Sequence, residues 1–143
     1  MRIIAPMMIL IMITATLAGC TDLEPDGEAS YVDDIHVYID GGTWGSDEEI
    51  CNTAIVLEAG EYYACPFTAN TDVVLMIELD VKDTSPMVDL ITMDDLNYEA
   101  WKDGDAYYYK EGLSDFETHG GTYGGDGSLG EGTYYVVVAN DVR

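Results

Sequence analysis

Three cysteines, two histidines and 28 acidic side chains are the groups with which this 143-residue chain could do chemistry. Nucleophilic catalysis needs a base beside the nucleophile, yet the chain carries neither a Gly-x-Ser-x-Gly elbow nor an HExxH helix. His36 alternates with Ile35, Val37 and Ile39, and His119 precedes a glycine pair. Neither stands beside a motif that would use it, so both are expected to be structural or to face solvent. Carboxylates are so frequent that a pair of them says nothing about acid–base work. Their better use is a hard cation, because calcium takes carboxylate and carbonyl oxygens. The candidate clusters are Asp33 with Asp34, Asp47 with Glu48 and Glu49, Asp94 with Asp95, and Asp103 with Asp105. None has the spacing of an EF-hand loop, and in a chain this acidic such clusters arise by chance. The expectation is a protein that is not an enzyme and requires no cofactor, with Ca2+ as the one ion to test for.

The residues that must be placed first are at the N-terminus. Arg2 supplies a positive charge, Ile3 to Thr16 an apolar run, and small residues precede Cys20, which is the layout of a secretory signal. The run is short of the roughly 20 apolar residues that span a bilayer, and Pro6 weakens it as a helix interior. Leu17-Ala18-Gly19-Cys20 resembles the lipobox of prokaryotic lipoproteins. The resemblance implies a cysteine that is acylated and becomes the new N-terminus, so that residues 1–19 are a signal peptide and the rest is tethered through two acyl chains. With Cys20 assigned to lipid, Cys51 and Cys65 remain in an oxidising compartment and are expected to pair; the alternative is two buried free thiols. The implied location is extracytoplasmic, anchored at the cell surface.

Every acidic residue lies after Cys20, where only Lys82, Lys102, Lys110 and Arg143 oppose them. The whole chain has a formal charge of −23, and the segment after the leader, without Arg2, has −24. Binding nucleic acid needs clustered Lys and Arg, so that class is excluded, and an anionic bilayer surface would repel the domain. The charges are dispersed among a normal share of apolar residues, which describes a solvated surface over a folded core and fits a salt-adapted exoprotein.

Residues 20–30 read as an acidic linker, with Pro25 and Gly27, reaching roughly 15 to 20 Å. Residues 31–143 read as one β domain. Ile35 to Ile39 alternate as a half-buried strand, Thr43 to Asn52 form a loop, and Tyr62 to Phe67 form a strand carrying Cys65. The Cys51–Cys65 link is left open between an in-sheet and an inter-sheet bond. Val73 to Leu79 reads as a central strand covered on both faces, followed by a strand at Met87 to Met93. The one helical signal starts at Asp94 or Asp95, places Leu96 four residues before Ala100, and stops at Gly104. It is too short to do more than cap one end of a sheet. Tyr107 to Tyr109 reads as a strand, Gly120 to Gly132 as a loop, and Thr133 to Ala139 as the closing strand. About seven such strands predict an all-β sandwich. The tyrosines suggest a sugar-stacking face, but strand propensity accounts for them without a ligand.

Val88-Asp89-Leu90, Asn97-Tyr98, Trp101, Gly104, the aromatic run at Tyr107, and Gly132-Thr133-Tyr134-Tyr135-Val136-Val137-Val138 with Asn140 together resemble the extracellular jelly-roll sandwiches of the pre-peptidase C-terminal type and their GOLD-like relatives. The resemblance implies a non-catalytic interaction module with a protein or glycan partner, and leaves open a calcium-dependent binder or an accessory subunit of an envelope or secreted-enzyme complex. Such domains carry a further strand after the Tyr-Tyr-Val-Val-Val strand. Here either the strand at Ile35 to Ile39 takes its place, the favoured expectation, or a sheet edge stays open.

Overall fold

The computed structural model describes residues 28–42, 45–125 and 128–140. The signal segment, Cys20 and most of the linker lie outside these residues. Among those described are eight strands: β1 (Ser30–Ile39), β2 (Glu48–Leu57), β3 (Tyr62–Ala69), β4 (Leu75–Val81), β5 (Val88–Asp94), β6 (Asp115–Thr118), β7 (Gly120–Gly124) and β8 (Gly132–Ala139). One helix, α1 (Asp95–Asp103), follows β5. They form two antiparallel four-stranded sheets, in the order β2-β1-β4-β7 and β3-β8-β5-β6. The protein is an all-β sandwich. Counted from β2 to β8 with β1 taken last, the sheets run first-eighth-third-sixth and second-seventh-fourth-fifth, the interleaved order of a jelly roll. The N-terminal strand lies between β2 and β4, the place of the last strand in that order.

The core lies between the sheets. Val32, Ile35 and Val37 of β1 and Leu75, Ile77, Leu79 and Val81 of β4 face Phe67 of β3, Leu90 of β5 and Val136 and Val138 of β8. The bond between Cys51 of β2 and Cys65 of β3 crosses this core with Cα atoms 6.4 Å apart, so the disulfide joins the two sheets. Buried Asn140 closes the end of the sandwich: its side-chain amide donates to the carbonyls of Glu28 and Leu57, and its backbone pairs with Gly60 and Glu61.

Several expectations need correction. β4 is central but covered on one face only, since Met76 and Glu78 are half-exposed and Asp80 is exposed. The strands covered on both faces are β3, β5 and β8, because α1 lies on the outer face of their sheet and not at its end: Tyr98 and Trp101 pack in one cluster with Tyr62, Ala64, Ile91, Met93, Val137 and Ala139. Leu96, expected on the buried side of the helix, is 78% exposed. β2 starts at Glu48, inside the expected loop, and a long register with β1 explains it. Residues Tyr107 to Tyr109 are not a strand; the Tyr108 N–H is bonded instead to Asn97 Oδ1, and the next residue but one, Lys110, donates its N–H to the Thr92 carbonyl. Part of the expected glycine loop is strand β7. Its Gly120 and Gly124 have φ of 118° and 102°, and a Cβ on either would collide with the carbonyl oxygen of Leu79 or Leu75, so glycine lets β7 close the sheet edge.

Both caps of α1 match the sequence signals. The Asp94 carboxylate accepts from the Asn97 N–H at 2.9 Å, and Gly104 sits in the left-handed conformation, donating its N–H to the helix end.

Candidate interaction surfaces

The sheet β2-β1-β4-β7 turns one face to the core and the other to solvent, and register decides what meets there. Asn52, His36, Glu78 and Thr122 stand directly opposite one another across the four strands. Glu78 is the hub. Its Oε1 is 3.6 Å from His36 Nδ1, its Oε2 accepts from the Tyr38 hydroxyl at 3.3 Å, and the His36 and Tyr38 rings are 4.7 Å apart. Loss of solvent, and then the Glu78 carboxylate, hold the Tyr38 phenol above its ordinary pKa. Beside this row lies a shallow groove of about 500 Å³ whose polar wall is Asp34, Glu78, Asp80, Asp83 and His119. Asp34 and Asp80 are paired across β1 and β4 like charge to like charge. His119 Nε2 is 2.9 Å from the Ser85 carbonyl; a carbonyl only accepts, so Nε2 carries the hydrogen and the ring pins the turn after β4.

The acidic clusters named as calcium candidates are placed as follows. Asp33 and Asp34 lie at an irregularity in the β1–β4 register, Asp94 caps α1 and is bonded to Asn97, Asp95 opens the helix, and Asp103 and Asp105 flank its C-cap. Among the described residues no three His, Cys, Asp or Glu side chains are grouped so as to hold a metal ion. Both histidines are engaged as described, His36 with Glu78 and His119 with a carbonyl. Glu78 and Asp80, which shape the groove, were not singled out in the sequence, though their alternation with Ile77, Leu79 and Val81 placed them on the outer face of β4.

The other sheet carries aromatics on its outer face. Tyr98 is buried and lies 3.8 Å from the Tyr135 ring, nearly parallel to it, and Trp101 meets Tyr62 edge-on at 5.0 Å. Further along, Tyr107 and Tyr109 are 6.2 Å apart, and Tyr109 meets Phe116 at 5.1 Å. In this second group Tyr107 is half-buried while Tyr109 and Phe116 are 40% and 39% exposed, and Tyr108, which makes none of these ring contacts, stands beside them in the chain at 83% exposed.

Burial raises the phenol pKa of Tyr63 and, with the neighbouring Tyr62 hydroxyl, that of Tyr98. Both are neutral in folded and unfolded chains at pH 7. Above about pH 10 the unfolded chain sheds phenol protons that the folded one keeps, so this contribution to stability is intact below pH 10 and lost as the pH rises past it. In an alkaline titration, ionisation of these two tyrosines is expected to coincide with unfolding seen by circular dichroism. Tyrosinate absorbance reaching its full amplitude with the fold intact would contradict their burial.

Compared with protein-family models, with curated proteins and with solved structures, the chain finds no match.

Proposed function

We propose that this chain is a lipid-anchored surface protein outside the cytoplasm of a prokaryote, working by contact and not by catalysis. The observation that carries the reading is the disulfide between the sheets. Such bonds persist in oxidising compartments and are rare in the cytosol, so the bond supports export. It also accounts for two of the three cysteines, and the third is Cys20 in Leu17-Ala18-Gly19-Cys20. A diacylated Cys20 followed by the seven residues 21–27, mostly acidic or polar, would hold the sandwich within roughly 13 to 16 Å of the bilayer, the chain being fixed to the fold from Glu28 on. The bonds that occupy His36 and His119 support a non-catalytic role, as does the resemblance to pre-peptidase C-terminal sandwiches.

The test is a Cys20→Ser variant expressed in a bacterium with lipoprotein processing. The wild-type chain is expected in the membrane fraction and the variant in the soluble extracytoplasmic fraction, with the same melting temperature. A variant that stays with the membrane would overturn the anchor.

A further inference from the structure

The aromatic group at Tyr108, Tyr109 and Phe116 adds little to the fold, since these rings stay substantially exposed. Yet the backbone that presents them is fixed. Asp105 N–H bonds the Ala100 carbonyl, Tyr108 N–H bonds Asn97 Oδ1 at 2.8 Å, and Lys110 N–H bonds the Thr92 carbonyl. Asn97 is in turn held by the Asp94 carboxylate through two bonds. A segment without ladder bonding is therefore pre-set, which lowers the ordering cost of binding.

The chain's own cations indicate what such rings take. All three lysines lie over tyrosines: Lys102 Nζ is 4.6 Å from the Tyr98 ring centre, Lys82 Nζ 5.7 Å from Tyr31, and Lys110 Nζ 5.9 Å from Tyr134. The lysines are thus spent on other rings. The same stretches of chain that carry Tyr108, Tyr109 and Phe116 also carry Asp103, Asp105, Glu111 and Glu117, all exposed. Rings set among carboxylates attract a cation twice, through the ring face and through charge. A second copy of this chain, with the same charge of −23, is a poor occupant.

We propose that Tyr108, Tyr109 and Phe116 form a docking surface for a cationic polypeptide segment, whose arginine or lysine side chains stack on these rings among the carboxylates. The proposal deepens the reading of the chain as an interaction module and rests on it for the existence of a partner. Its test is independent of the anchor, because Cys20 takes no part in the binding measured.

The experiment uses the full chain in a neutral polyoxyethylene detergent and a fluorescein-labelled hexa-arginine peptide, read by anisotropy. Charge alone would draw this peptide to any part of so acidic a protein, so the comparison between variants decides. Tyr108→Ser, whose side chain is too exposed to unfold the protein, is expected to weaken binding about threefold. The triple change Tyr108→Ser, Tyr109→Ser and Phe116→Ser is expected to weaken it about tenfold or more. Val56→Ser, on the exposed face of the other sheet, is expected to leave it unchanged. In about 1 M salt, where screening acts within about 3 Å, the difference between wild type and Tyr108→Ser is expected to persist. Equal binding by wild type, Tyr108→Ser and Val56→Ser would show attraction by net charge alone and overturn the proposal. So would loss of the difference at high salt, or binding of zwitterionic vesicles in place of the peptide.

Discussion

Replacing Tyr98 by alanine is expected to destabilise the protein by about 3 to 5 kcal/mol, the range for deleting a large buried ring. The reason lies in how α1 is attached. Among the described residues Tyr98 is the one fully buried side chain of the helix, with Trp101 half-buried beside it. Its ring covers Tyr135 and lies among Ile91, Met93 and Val137, side chains that would otherwise face water on the outside of the second sheet. Alanine removes both the ring and the helix's hold, so hydrogen exchange in α1 should accelerate more than in β1 or β4. Tyr98→Phe keeps the ring and loses only the hydroxyl beside Tyr62, for which a loss of at most about 1 kcal/mol is expected. Chemical denaturation of the two variants separates the terms. A Tyr98→Ala variant as stable as Tyr98→Phe would mean that the helix does not depend on this ring.

Replacing Cys51 and Cys65 together by alanine is expected to cost about 3 kcal/mol, mostly by releasing the unfolded chain from a closed loop whose ends are 14 positions apart. For a domain of about 110 residues this lowers the melting temperature by about 12 °C. The position of the bond matters as well as the loop length. Cys51 pairs with Val37 in one sheet and Cys65 with Val136 in the other, so the link ties the two central strands β1 and β8 through their neighbours. Reduction of the wild-type protein should reproduce the loss measured for the alanine pair. Equal melting of oxidised and reduced protein would contradict it.

What could be read from the sequence was what local physics decides. The alternation in β1 follows from period-two burial, and the ends of α1 from an aspartate that caps and a glycine that accepts a left-handed turn. Misread elements depend on distant partners. Tyr107 to Tyr109 have strand propensity, but Asn97 takes the Tyr108 N–H and Thr92 that of Lys110 just after. β7 consists largely of glycine, which propensity counts against, and it is a strand because β4 leaves no room for a Cβ there. The Glu78 hub required the register of β1 on β4, which no stretch of sequence contains.

The central claim is a disulfide-stapled sandwich held to a membrane through Cys20, and intact mass spectrometry of the protein purified from its native membrane, with and without reduction, tests it most directly. The account predicts a chain that begins at Cys20, carries acyl chains, and gains the mass of two hydrogens on reduction. A chain that begins elsewhere and carries no lipid would contradict the anchor, and a mass unchanged by reduction would contradict the staple.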